Sequence, residues 1–143
     1  MLSVSESVYD QLRRHGETAY PGECCDILLG TIEKDTNCVI VAVPVPNASA
    51  NPQYHYQIDP IHLIRAEHTA RSAGLVIVGF HHSHPDHPAE PSTTDVAEAH
   101  WHGCSYLITS VEQGSAFATR SFRLSGDGEE DKRFEREEMH VSP

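Results

Sequence analysis

The stretch Leu75-Val76-Ile77-Val78-Gly79-Phe80-His81-His82-Ser83-His84-Pro85, followed by Pro91-Ser92-Thr93-Thr94-Asp95, decides how this chain is read. Its β-branched and aromatic residues predict a strand from Leu75 to His82. Side chains two apart in a strand share a face. Val76, Val78, Phe80, His82 and His84 are therefore expected on one side, with His81 facing away and His87 in the following loop. Pro85 turns the chain. Ser92 or a neighbour then starts a helix running to about His102, with Asp95 one turn inside it. Two imidazoles from a strand end and a carboxylate from a helix can hold one divalent ion rigidly. Three protein ligands leave a fourth position open to water, the arrangement of a hydrolytic metal site.

Each part also has an ordinary explanation. The chain has 11 histidines, so pairs arise by chance, and Ser-x-x-Asp is a variant of the helix capping box. The combination, with the strand before it and the helix after it, favours the metal reading. A His-His-Asp set with an open position suits zinc.

Working outward, residues 5 to about 17 predict a first helix, with Val8 and Leu12 on one face and Gly16 near its end. Cys25 to Ile32 and Cys38 to Pro44 predict antiparallel strands joined by the polar turn Glu33–Asn37. Pro44 to Pro52 reads as a loop, and the alternation in Tyr54–Ile58 as a short strand. Asp59-Pro60 is a helix start that ends at Gly74, with Ile61, Ile64 and nearby alanines expected inward. Ser105–Val111 and Ser115–Leu124 predict a closing hairpin around Glu112-Gln113-Gly114. The segment 125–143, rich in Glu and Asp, is expected to be an exposed tail or a weak terminal element. Strands and helices in this order imply one α/β (α+β) domain over residues 1–124, with a central curved mixed sheet flanked by helices.

Composition narrows the function classes. Ten Lys and Arg against 21 Asp and Glu give a net charge of −11. Without a basic cluster, this argues against binding a nucleic acid backbone. No apolar run approaches the ~20 residues of a membrane span. The N-terminus lacks the basic-then-apolar order of a signal peptide, so a cytoplasmic location is expected. Cys24, Cys25, Cys38 and Cys104 have no Cys-x-x-Cys spacing. They read as buried free thiols rather than a disulfide framework or zinc knuckle.

These residues resemble a known family. Gly79–Pro85 with Pro91–Asp95 looks like the JAMM motif of MPN-domain metallopeptidases: His-x-His, seven intervening residues, Ser-x-x-Asp, and a glutamate earlier in the chain. Tyr20-Pro21-Gly22-Glu23-Cys24-Cys25-Asp26-Ile27-Leu28-Leu29-Gly30 resembles the family's Pro-x-Glu-x-Cys-Gly-Leu-Leu-Gly segment. Asp26 stands where the family usually has glycine, which puts local backbone shape in question more than chemistry. The resemblance spans roughly residues 3 to 124 and implies a cytidine-deaminase-like architecture. It implies one zinc ion held by His82, His84 and Asp95. It also implies that Glu23 is the general base for the zinc-bound water and that Ser92 stabilises the oxyanion.

The short prokaryotic, stand-alone members that this chain resembles imply a peptidase acting after the C-terminal Gly-Gly of a ubiquitin-like or sulfur-carrier protein. Tyr54–Ile58 and the loop after Pro44 could border the groove for such a tail by strand addition. Three other readings compete. A non-catalytic MPN scaffold would lose ligands or the glutamate, and here all are present. A RadC-like, DNA-repair-associated protein shares a similar His-x-His-Pro motif, but the acidic charge and the Pro-Gly-Glu-Cys-Cys segment favour the peptidase. A zinc deaminase needs a Cys-x-x-Cys partner that the chain lacks.

Overall fold

In a computed structural model that describes residues Met1–Pro143, the apolar runs pair into one eight-stranded mixed sheet. The elements are β1 (Leu2–Ser5), α1 (Glu6–Ala19), β2 (Cys25–Glu33), β3 (Thr36–Val45), α2 (Pro60–Ser72), β4 (Val76–Pro85), α3 (Thr93–Glu98), β5 (Ser105–Glu112), β6 (Ser115–Ser125), β7 (Arg133–Glu137) and β8 (Met139–Ser142). Their order across the sheet is β7-β6-β5-β4-β2-β3-β1-β8. β4, the strand carrying the histidines, lies between antiparallel β2 and parallel β5. A strand paired on both edges is a rigid mount for ligands. No helix is long and apolar enough to cross a membrane.

The sheet has a core on each face. On one, Leu12 of α1 packs with Leu2, Val4, Leu28, Val39, Val78 and Leu107. On the other, Ala66 and Ala70 of α2 pack with Cys25, Ile27, Leu29, Phe80 and Tyr106. Each fully buried large side chain contributes about 1.5–3 kcal/mol relative to exposure, so these two layers supply most of the driving force.

The strict alternation expected along β4 breaks once. Leu28 pairs with Gly79, while its neighbour Leu29 pairs with Ile77, so Val78 is an extra residue bulged toward the α1 side. Val78 thus leaves the face of Phe80, His82 and His84, and Val76 is exposed. The bulge re-aims the strand just before the histidines. Gly79 is required there, because a Cβ would lie 2.2 Å from the Ser105 carbonyl oxygen of β5.

Other elements also depart from expectation. Helix α1 continues to Ala19, with Gly16 buried inside it against Val111 and Ser83. Helix α2 docks through its small residues Ala66 and Ala70, which leaves Ile61 and Ile64 exposed. Helix α3 stops at Glu98, short of His102. Tyr54–Ile58 is not a strand. It is a segment pinned by Asn47, whose Nδ2 donates to the His55 carbonyl at 3.0 Å and whose Oδ1 accepts from the Gln57 N–H at 3.1 Å.

The acidic C-terminus is no loose tail. β7 pairs with β6 and β8 runs parallel to β1, on opposite edges of the sheet, so the sheet curls until Glu138 alone bridges them. Phe134 packs on Tyr106 and Phe122. The Glu137 carboxylate accepts from the Ser105 and Ser121 hydroxyls at 2.6 and 2.8 Å and pairs with Arg123 at 3.1 Å. The segment after residue 124 thus contributes a terminal element, two edge strands of the same sheet.

Candidate metal and catalytic site

Beyond the bulge, alternation resumes and aims His82 and His84 to the same side at the C-terminal end of β4. Their Nε2 atoms lie 3.1 Å apart, and Asp95 Oδ2 stands 3.3 Å from the first and 3.1 Å from the second. Helix α3 delivers that oxygen through a capping box. The Ser92 N–H donates to Asp95 Oδ2 at 2.9 Å, and the Asp95 N–H donates to Ser92 Oγ at 3.0 Å. The cap thus fixes the carboxylate rotamer that faces the histidines.

The donor set fits a tetrahedral zinc ion. Nitrogen and oxygen ligands at the usual bond lengths stand roughly 3.3 Å from one another around such a centre. Two imidazole nitrogens 3.1 Å apart, facing a carboxylate, need a cation or a shared proton between them. His84 Nδ1 lies 2.8 Å from the Pro88 carbonyl, to which it donates, so its Nε2 lone pair points into the site. Tyr56 stacks on the His82 ring, with centroids 4.3 Å apart, and His82 Nδ1 is buried without a partner. On its Nδ1 side, ring stacking rather than a hydrogen bond holds His82.

The charge states follow from these contacts. Burial pushes Asp95 up, but its close contacts with His82 and His84 hold its carboxyl far below the usual range. Burial lowers His82 and outweighs the pull of Asp95, which keeps it neutral, the form able to bind a cation. In His84 burial is overcome by Asp95 and the Pro88 carbonyl, so its value rises.

Glu23 completes the cluster from the loop before β2. A carboxylate oxygen of Glu23 and a ring nitrogen of each histidine all lie within 4.8 Å of one another. Its backbone is clamped: the N–H donates to the Pro52 carbonyl at 2.7 Å, and its carbonyl accepts from Asn47 Nδ2 at 3.0 Å. The side chain is buried and Oε1 has no partner. Burial, opposed by His84, pushes its carboxyl up to about 8. A buried carboxylate with an idle oxygen beside a donor triad is poised for proton transfer.

A cleft of about 350 Å³ opens along Glu23, His84 and Ser92 and is continued by Gln53, Tyr54, His87 and Glu90. A second, of similar volume, lies on the far side of the Tyr56–His82 stack and is walled by Ile58, Leu63, Phe80 and Trp101. A larger concavity, of about 950 Å³ between β6 and the β7–β8 junction, is lined by neither His82 nor His84, and its Glu137 carboxylate is already paired.

All five residues singled out in the sequence therefore meet in one place. Tyr56 and Asn47, which hold His82 and the Glu23 loop, were not visible as site residues. Nor was the environment of His81, which faces the opposite side of the sheet. There its Nδ1 lies 2.8 Å from Asp26 Oδ1, and Asp26 also meets His15 Nδ1 at 2.9 Å. Asp26 lies inside β2 in ordinary extended pairing, so replacing glycine there adds a buried carboxylate rather than distorting the backbone. That replacement was the one signal that could have exposed the cluster.

A curled mixed sheet flanked by helices, with a His-His-Asp triad at a strand end, defines the JAB/MPN class of α+β domains. The family described as prokaryotic homologs of the JAB domain matches residues 5–125, and the chain belongs to it. The chain is 36% identical over 115 residues to a protein of Haloferax volcanii named desampylase, an alignment covering 78% of this chain and 81% of that protein. It is 30% identical over 117 residues to a probable TtuB-protein conjugate cleaving protease of Thermus thermophilus, covering 82% of this chain and 75% of the relative. Among solved structures, a Desulfitobacterium hafniense protein superposes with a TM-score of 0.85 at 30% identity, over 99% of this chain and 93% of its own. A JAB1/MPN domain protein from Archaeoglobus fulgidus shares the fold, with a TM-score of 0.61 at 15% identity, over 100% of this chain and 98% of its own.

Proposed function

We propose that this chain is a zinc-dependent peptidase or isopeptidase that hydrolyses the bond after the C-terminal Gly-Gly of a ubiquitin-like or sulfur-carrier protein. The observation that carries the reading is the convergence of His82, His84 and Asp95 beside a buried Glu23 whose Oε1 has no partner. The relatives named desampylase and TtuB-protein conjugate cleaving protease support the substrate class.

His82, His84 and Asp95 would hold the ion. Zinc bound there supplies Lewis acidity, polarising the scissile carbonyl and making a water acidic enough to deprotonate near neutral pH. Glu23 takes that proton on its carboxylate and returns it to the departing amine. Ser92 Oγ accepts from the Asp95 N–H, which leaves its own proton to donate to the developing oxyanion. Tyr56 and the Asn47-clamped loop keep His82 and Glu23 from swinging away. A Gly-Gly tail, having no side chains, suits the cleft along Glu23, His84 and Ser92.

The test is to incubate zinc-loaded protein with a ubiquitin-like sulfur carrier extended beyond Gly-Gly and read the products by intact mass. Cleavage after the second glycine supports the proposal. An uncut carrier alongside cleavage of unrelated peptides would overturn the substrate assignment.

A further inference from the structure

On the face of the sheet opposite the catalytic cleft, four metal-ligating side chains from three parts of the chain meet under α1. Asp26 is the hub. His15 Nδ1 lies 2.9 and 3.0 Å from its two oxygens, and His81 Nδ1 lies 2.8 Å from Oδ1. Cys24 Sγ stands 4.0 Å from Asp26 Oδ1 and 3.9 Å from His81 Nδ1. The donor atoms of His15, Cys24 and Asp26 all lie within 4.8 Å of one another. Cys24, Asp26 and His81 are fully buried, whereas the His15 side chain is 28% exposed.

We infer that His15, Cys24, Asp26 and His81 form a second zinc site, separate from the catalytic one. The chemistry of the set carries the assignment. Two imidazoles, a thiol and a carboxylate match zinc's preference, and the sulfur disfavours magnesium and calcium. His81 already has the outer support that metal-binding histidines have, because its Nε2 is hydrogen-bonded to Thr109 Oγ1 at 2.8 Å. Thr109 is in turn braced by Thr119, and Thr119 by Arg13 of α1. Relative to a tetrahedral zinc centre, the nitrogen–oxygen separations are a few tenths of an ångström short and the sulfur's somewhat long. His15, Cys24 and Asp26 already stand within reach of one ion; taking His81 as the fourth ligand requires Cys24 and the partly exposed His15 to rotate toward it.

Coordination would take Cys24 as the thiolate, its proton passing to solvent. Four protein ligands leave no open position, so this site ties α1 to β2 and β4 rather than performing hydrolysis. Cys24 follows Glu23 and His81 precedes His82, so the tie braces the backbone that presents the catalytic set. His15 is the entry point, being the only ligand that reaches solvent.

The two sites differ in one ligand type, and the experiment uses that difference. Chelator-stripped full-length protein is loaded with cobalt(II), desalted, and examined for retained metal and for a thiolate-to-cobalt charge-transfer band. The catalytic set has no sulfur and cannot produce that band. Wild type is expected to retain two ions per chain and show the band. Cys24→Ser is expected to lose the band and one ion, and His82→Ala to lose one ion and keep the band. Should Cys24→Ser fail to fold by circular dichroism, His15→Ala, which removes only the half-exposed ligand, is expected to retain one ion. One retained ion in wild type without the band would overturn the inference, as would two ions retained by a folded His15→Ala or Cys24→Ser protein. Neither result bears on the peptidase reading, which rests on the other face of the sheet.

Discussion

Glu23 is the residue whose environment departs furthest from what its side chain prefers. A carboxylate loses much of its hydration on burial, and only His84 nearby compensates, so its carboxyl is pushed from 4.5 to about 8. In metal-free protein this has a definite sign. Between those two values the native state holds a proton that the unfolded chain has released, so Glu23 makes stability fall as pH rises from about 4.5 to 8. Chelator-stripped Glu23→Gln should therefore melt at a higher temperature than wild type at pH 8, with the gap closing toward pH 4. Parallel melting curves across that range would show that the Glu23 carboxylate is not desolvated. On the proposed function, the cost of burying it marks a group kept for reactivity rather than for stability, and a zinc ion at the neighbouring histidines would offset that cost by placing positive charge beside it.

Among the elements, α3 shows how little structure the site needs and how firmly that structure must be set. Six residues are too few for a helix to persist by propensity alone. The box between Ser92 and Asp95 fixes it and aims the ligand at the same time. Ser92→Ala removes the hydroxyl cap but leaves the Ser92 N–H bonded to Asp95. It should lower stability by about 1 kcal/mol in denaturant melts while zinc is retained. Cleavage should fall further than that loss of stability explains, because the oxyanion donor is gone as well. Loss of zinc in this variant would mean the hydroxyl, not the backbone, holds the carboxylate. The element scale also marks where sequence reading stops. Spacing put His82 and His84 on one strand face and Ser92 and Asp95 at one helix start, as the structure has them, because i, i+2 in a strand and i, i+3 at a helix start are local rules. The bulge at Val78 could not be read, since it depends on the register of β2 beside it. Ile61 and Ile64 were placed inward by their hydrophobicity, yet the space above β2 and β4 admits only the alanine face of α2.

For the whole molecule, the C-terminal strands change what the chain is. Arg133-Phe134-Glu135-Arg136-Glu137 offers one apolar residue among charges, and by composition it reads as solvated. Its place in the sheet comes from tertiary contacts: Phe134 on the Tyr106–Phe122 core, and Glu137 among two hydroxyls and Arg123. Truncation after Lys132 removes both edge strands and leaves Arg123 near an emptied pocket. It should destabilise the protein by at least about 3 kcal/mol, since it unmakes a buried ion pair as well as apolar packing. Thermal unfolding would show this as a large fall in melting temperature, and an unchanged melt would return the segment to the status of a tail.

The central claim is that Glu23 moves the proton at a metal site held by His82, His84 and Asp95. The most direct measurement sets zinc content beside cleavage of a Gly-Gly-extended carrier for wild type and Glu23→Ala. The account predicts unchanged zinc in Glu23→Ala, with cleavage lowered roughly a hundred- to ten-thousand-fold. Cleavage at the wild-type rate with zinc in place would contradict it.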